Sequence, residues 1–186
     1  MQPYDVTVLI PTFNRSAFLL ESLESILAQT RPAHEIIIIN DGSTDDTLEQ
    51  LKAYEGRVRV LSKSNAGKSA ALNFGLKHVT GDLVWIFETL VGVLEANPEA
   101  DMAYGRHERF SVDGSGEKRL LGTGYWTNCD SDEFLTATLD DMFAHQQGMV
   151  VRKELYDRVG AFDESLVRSQ DYDMLIRLAR VGTPVS

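Results

Sequence analysis

The chain has 186 residues, 43% of them hydrophobic, and 28 acids against 18 bases give it a formal charge of -10 at pH 7. That composition excludes a disordered chain, and the acid excess excludes a surface built to coat nucleic acid, which binds through lysine and arginine on phosphates. One domain with a sizeable buried core is the expectation for this length. The single cysteine, Cys129, cannot form an internal disulfide or a cysteine-rich zinc site. No apolar run approaches the roughly 18 residues of a membrane span, and no basic leader precedes the first apolar run, so the sequence reads as cytosolic.

Four short apolar or β-branched runs come first: Val6 to Ile10, Glu35 to Ile39, Val58 to Leu61 and Leu83 to Phe87. Such runs mark strands buried on both faces, the kind found in parallel sheets. Helical spacing lies between them, with Leu19, Leu23, Ile26 and Leu27 behind Ser16, Leu48 and Leu51 behind Ser43 and Thr44, and Leu72 and Leu76 behind Ser69. The order β-α-β-α-β-α-β predicts an α/β layered, mostly parallel sheet with right-handed crossovers. Ligands of such sheets bind beyond the carboxyl ends of the strands, here the loops PTFNR at 11–15, NDGSTDD at 40–46 and KSNAGKS at 63–69.

The fourth strand runs directly into ETLVGVLEANPEA, a stretch of helical character, although strand-to-helix connections normally take about 2–6 residues. A segment of the native protein is therefore expected to be missing between Phe87 and Glu88. The chain also ends at VGTPVS without a stop signal or cap, so a truncated C-terminus is expected too. Met102 to Phe110 reads as one strand, residues 113–116 as a turn, and Lys118 to Leu121 as a return strand. Asp132 to Met142 reads as a helix, Gly148 to Arg152 as a strand, and Lys153 to Val159 as a helix ended by Gly160. A last amphipathic helix runs from about Gln170 to Arg180.

Several loops carry groups suited to chemistry. In Asn40 to Asp46, residues Ser43 to Asp46 are explained by capping and by first-turn acids, whereas Asp41 at the strand end faces the predicted crevice and can accept hydrogen bonds from a base or ribose. Asn65-Ala66-Gly67-Lys68-Ser69 resembles the end of a phosphate-binding GxxxxGK[ST] loop, but Ser62 stands where its first glycine is required. Lys68 still sits where a strand end meets a helix start, a place that suits anionic ligands, or it is a solvated lysine. Thr12 and Asn14 suit hydrogen bonds to a base and Arg15 suits a phosphate or carboxylate; a turn role accounts for the same residues. Asp173 and Arg177 form an i, i+4 pair. Asp171, at the start of the last helix, favours the helix dipole or serves as a general base.

Together, VTVLIPTFNR, EIIIINDGSTDDT, NAGKSAALNFGL and GDLVWIF, followed by GMVVRKELYDRVGAFDESL and SQDYDMLIRLAR, resemble the family 2 glycosyltransferases, whose nucleotide-sugar-binding fold is called GT-A. The resemblance covers nearly the whole chain and implies one GT-A-like domain over 1–186, with a Rossmann-like nucleotide-sugar-binding half (1–106) and a less regular acceptor-binding half (107–186). It implies that Thr12, Asn14 and Arg15 lie in the nucleotide-binding loop, that Asp41 contacts the base, and that Lys68 lies near base and phosphates. Asp171 falls at the position of the catalytic base, preceded by Gln170 where the family usually has an acid. Asp163 and Glu164 match a recurrent segment and serve either the loops or the substrate.

The family also implies Mg2+ or Mn2+ bound by an acidic DxD stretch after the fourth strand. Here Phe87 is followed by Glu88-Thr89-Leu90, and Asp82 precedes the strand at its wrong end, so the metal ligands are unassigned. The implied reaction is inverting transfer of a sugar from a UDP- or GDP-linked donor to the hydroxyl of a saccharide or lipid-linked acceptor, in the cytoplasm or at the inner face of a membrane. His145, Gln146 and Gln147 are weak acceptor-side candidates. Two other readings are a binding module for nucleotide-sugars without catalysis and a P-loop-like nucleotide hydrolase. A base acting on the acceptor alone predicts that Asp171→Asn abolishes transfer and leaves UDP or GDP affinity nearly unchanged.

Overall fold

The computed structural model describes residues 4–29, 32–86, 99–104, 108–112, 118–123, 131–140, 149–166 and 168–185. The predicted alternation holds as far as the fourth strand: β1 (Val6–Thr12), α1 (Ser16–Leu27), β2 (Glu35–Asn40), α2 (Thr47–Leu51), β3 (Arg59–Ser62), α3 (Lys68–Leu76) and β4 (Leu83–Trp85). There follow β5 (Met102–Tyr104), β6 (Glu108–Val112), β7 (Lys118–Thr123), α4 (Ser131–Asp140), β8 (Met149–Arg152), α5 (Lys153–Val159), α6 (Gln170–Val181) and β9 (Pro184–Val185). The helical stretch expected after Phe87, the turn at 113–116, Cys129, and His145, Gln146 and Gln147 lie outside the described residues.

The strands order as β3-β2-β1-β4-β8-β5-β9. β1 pairs in parallel with β2 and β4, and β2 with β3, so their carboxyl ends share one side. β8 runs antiparallel to both β4 and β5, and β9 is parallel to β5. The sheet is thus mostly parallel, with one reversed strand from late in the chain inserted at its middle. The single strand expected over Met102 to Phe110 is two: β5 joins the main sheet, and β6 pairs with β7 in a separate hairpin. An apolar run carries no record of which partner each part of it pairs with, which is why periodicity merged them.

Alternation along the strands divides the core. Val8, Ile36, Ile38, Leu83 and Trp85 face α1 and α2, while Leu9, Ile37, Ile39, Val84 and Ile86 face the other layer. Ile37, Ile38 and Ile39 are fully buried, each worth about 1.5–3 kcal/mol of burial, which is why β2 has no polar face. On one side α1 packs the stripe Leu19, Leu23 and Ile26. On the other, α3 supplies Ala71 and Leu72, α5 supplies Leu155 and Tyr156, and α6 supplies Met174, Leu175 and Leu178.

At the amino ends of the strands, Glu35 stitches β2 to its neighbours. Its Oε1 accepts hydrogen bonds from Thr7 Oγ1 (2.8 Å), Thr80 N (2.7 Å) and Thr80 Oγ1 (2.8 Å). Burial pushes this carboxyl up, but the Thr80 and Thr7 donors and the Arg59 charge outweigh it and hold the pKa below its ordinary 4.5. A depressed carboxylate stabilises the fold above its unfolded pKa and loses that contribution as pH falls through the lower, folded value. Urea midpoints of the wild type should therefore fall on acidification below about pH 4.5 more steeply than those of Glu35→Gln, which should start lower at pH 7.

Candidate functional site

At the carboxyl ends of the parallel strands lies a cleft of about 780 Å³, lined among others by Thr12, Phe13, Arg15, Phe18, Asp41 and Lys68. That volume falls within the roughly 300–1,000 Å³ typical of small-molecule sites. A hollow of about 100 Å³ near His34 and Arg57 is too small for comparable ligands.

Asp41, at the end of β2, is 3% exposed. Its Oδ1 accepts from Lys63 Nζ (2.7 Å) and Ala66 N (3.1 Å), and its Oδ2 from Gly67 N (2.8 Å). A carboxylate offers about four lone-pair sites, so little capacity is left for a ligand. Asp41 lines the cleft as expected, but its bonds fold the 63–67 loop onto β2 and set the start of α3. The Ala66 and Gly67 N–H groups, which a phosphate-cradling loop would aim at its ligand, point at Asp41 instead, and this leaves the hydrolase reading without support. Gly42 allows the close approach: with φ +77, a Cβ on it would meet Asn65 N at 2.8 Å.

Asn14 takes a left-handed φ of 51, which asparagine tolerates better than most residues. Its Oδ1 accepts from Thr44 N (2.7 Å), its Nδ2 donates to Thr44 Oγ1 (3.3 Å), and its N–H donates to Ser43 Oγ (3.0 Å). It therefore joins the two loops, and it is not among the residues lining the cleft. Asp45 does similar work, accepting from Thr47 and Ser16, and the Thr47 hydroxyl foremost holds its carboxyl below the usual range. Thr12 and Arg15 do face the cleft. Thr12 Oγ1 is buried without a hydrogen-bond partner among the described residues, and the Arg15 guanidinium has no ion pair among them.

Lys68 and Asp171, 103 positions apart, meet: Lys68 Nζ lies 2.5 Å from Asp171 Oδ2, with the side chains 31% and 38% exposed. Asp171 Oδ1 is buried and lacks a hydrogen-bond partner among the described residues. Beneath it, burial and the Asp171 charge push the buried Tyr156 phenol well above its ordinary pKa of 10. Two further contacts position α6. Asn73 Nδ2 donates to Phe162 O (2.9 Å) and Glu164 Oε1 (2.8 Å) while its Oδ1 accepts from Phe162 N (2.7 Å). Arg177 bonds Asp173 and also the Val159 and Ala161 carbonyls, so the expected i, i+4 pair also anchors the preceding loop. Asp163 caps its own turn through Ser165, so both acids of AFDES serve the loop.

A family model described as glycosyl transferase family 2 matches residues 7–160. The chain belongs to glycosyl transferase family 2. It is 27% identical, over 95% of its length, to an uncharacterized glycosyltransferase of Rickettsia felis, and 29% identical, over 95%, to chondroitin synthase of Pasteurella multocida. It spans 32% and 19% of those two proteins. Among solved structures it resembles S. aureus TarS 1–349 in complex with UDP (TM-score 0.75, 20% identity, 98% of this chain and 58% of that one). It also resembles the mannosyltransferase PcManGT from Pyrobaculum calidifontis in complex with GDP-Man and Mn2+ (TM-score 0.68, 19% identity, 100% and 55%). This chain shares their fold and has the expected GT-A-type sheet. Asp171 lies beyond the residues matched by the family model.

The described residues of this family 2 chain do not fit a divalent ion. They contain no group of three or more histidine, cysteine or acidic side chains able to hold one. Asp41 is engaged by Lys63 and backbone N–H groups, Asp171 by Lys68, and Asp82 accepts from Asp5 N at the far end of β4.

Sequence reasoning missed Lys63, Asn73, and the aromatic pair Phe13 and Phe18, which are 44% and 55% exposed at the cleft. Phe18 had a signal, since it lies off the buried 19-23-26 stripe of α1, where a phenylalanine has no folding role. Lys63 had none, because only the folded loop shows which lysine Asp41 holds.

If Asp41 held the loop only incidentally, Asp41→Asn would leave stability untouched. We expect it instead to lose about 3–5 kcal/mol, the range for breaking one side of a buried ion pair, measured by urea denaturation.

Proposed function

We propose that this chain carries out inverting glycosyl transfer from a nucleoside-diphosphate sugar to an acceptor hydroxyl. The observation that carries the reading is the Lys68–Asp171 contact, which joins the cationic helix start in the cleft to the candidate base. The cleft chemistry supports a nucleotide-sugar. Phe13 and Phe18 offer exposed rings to a base, the Thr12 hydroxyl has unmet hydrogen-bonding capacity, and Arg15, Lys68 and the N-terminus of α3 suit a diphosphate. A UDP complex and a GDP-Man complex of similarly folded proteins fit this donor class.

In the reaction, Asp171 takes the proton of the acceptor hydroxyl as that oxygen bonds to the anomeric carbon. The bond from that carbon to the diphosphate oxygen breaks on the opposite face, and the nucleoside diphosphate leaves. Arg15 and Lys68 offset the charge that develops on the leaving group.

The resemblance implies Mg2+ or Mn2+, and the PcManGT structure contains Mn2+. Because the described residues do not fit such an ion, no step of the reaction is assigned to it. In this reading its ligands belong to a segment missing between Phe87 and Glu88. The alignment with chondroitin synthase runs over 199 residues, more than the 186 of this chain, so that relative carries residues without a counterpart here. The acceptor, a saccharide or a lipid-linked sugar, is bound by the 107–186 half. Among the described residues no helix is long and apolar enough to cross a membrane; we place the work in the cytoplasm, with a lipid-linked acceptor bringing it to the inner face of a membrane.

UDP and GDP should be screened by thermal shift with and without Mn2+, and one of them should raise the melting temperature by several degrees. Asp171→Asn should then lower sugar transfer by about 10²–10⁴-fold, the usual contribution of a general base. Undiminished turnover would overturn the assignment of Asp171, and donor binding without transfer in the wild type would favour the binding-module reading.

A further inference from the structure

We infer that the Lys68–Asp171 ion pair is a latch that keeps the base occupied until the diphosphate of a donor takes the lysine. The inference rests on the proposed glycosyl transfer, and concerns how the two substrates are coupled within that site.

The geometry forces a choice on the lysine. Lys68 lines the cleft where an anionic ligand would lie, yet its ammonium sits 2.5 Å from Asp171 Oδ2. The other carboxylate oxygen, Oδ1, is turned inward and buried without a partner among the described residues. The oxygen held by the lysine is thus the one an acceptor hydroxyl must reach, and a proton delivered there displaces the ammonium.

Only one of the two partners is free to move. Asp171 is in the first turn of α6, whose preceding loop is tied to α3 by Asn73 and to α6 itself by Arg177. The backbone of Lys68 is fixed beside Gly67, which Asp41 holds, but its four-carbon stem carries a compact, rotatable charge. Both side chains are about a third exposed, 31% and 38%, so the pair exchanges partners without moving a charge out of a dry core. A diphosphate carries more negative charge than one carboxylate, so it competes effectively for the ammonium.

Linkage makes this reciprocal: whatever breaking the pair costs is subtracted from donor affinity, and removing the pair returns it. Asp171→Asn is then no longer silent for nucleotide, as a base touching only the acceptor would be. It should bind the diphosphate about two- to fivefold more tightly, the range open to a partly exposed pair.

The experiment is a double-mutant cycle on Lys68 and Asp171, read by calorimetric titration of UDP and of GDP in Mg2+ buffer at fixed low ionic strength. Melting temperatures of each variant verify folding, and Asp171→Ser serves as a second neutral variant with the same expected gain. Lys68→Met should weaken binding, and adding Asp171→Asn to it should give no further change. Equal or weaker binding by Asp171→Asn and Asp171→Ser than by the wild type would overturn the latch. So would a gain that persists in the Lys68→Met background, which would report removal of a negative charge near the site and no competition for the lysine. If the wild type binds neither diphosphate, the glycosyl-transfer reading fails and the latch falls with it. If the wild type binds and only the Asp171 gain is missing, the latch alone fails.

Discussion

The site depends on one buried carboxylate. Asp41 is placed at the end of a strand that is buried on both faces, where an unpaired charge would be strongly disfavoured, and it is satisfied by Lys63 and two backbone N–H groups of the following loop. That requirement converts a flexible polar loop into a fixed connection from β3 to α3. Gly42 makes room for it, and Asn14 ties the adjoining loop to the end of β1. The walls of the cleft follow from these contacts, and so does the position of Lys68 at the first turn of α3.

The second half of the chain is fastened to the first by hydrogen bonds as well as by apolar packing. Asn73 offers the Phe162 backbone the donor and acceptor that a neighbouring strand would supply, and it also holds Glu164. Arg177 gathers two carbonyls from the same loop. Met174, Leu175 and Leu178 then share a core layer with Leu72 of α3. The result is that residues about a hundred positions apart are held to the precision that a hydrogen bond between them requires, on regular elements and not on loops alone.

Much of this was legible in the sequence. The four apolar runs gave the parallel strands, and β1, β2 and β4 are buried as such runs imply; β3 is instead an edge strand with Arg59, Val60 and Ser62 exposed, its one covered side lying against β2. The loops named at the carboxyl ends of the strands are the ones that line the cleft. Residue types were less informative about what each side chain binds. Asp41 and Asn14 carry the polar groups a nucleotide would need, yet their geometry turns most of those groups onto neighbouring loops. Whether a polar residue serves a ligand or the chain depends on partners distant in sequence, as with Lys63, and no local pattern encodes that. The same holds for Lys68 and Asp171, each nominated separately and joined only by the fold. That Met102–Tyr104 and Glu108–Val112 pair in different sheets was not legible, because hydrophobicity does not encode pairing partners.

The reversed strand β8 has a consequence for how the protein is made. It fills the middle of the sheet between β4 and β5, yet it comes from residues 149–152, long after both neighbours have been synthesised. Until it arrives, β4 presents an open apolar edge to any other chain able to pair with it. Local contacts alone cannot close the sheet, so acquisition of the native state waits on a long-range pairing. Nascent or clipped chains that end before Met149 are therefore the forms most exposed to aggregation, and a chaperone that covers the β4 edge would protect them at the step where they are most vulnerable.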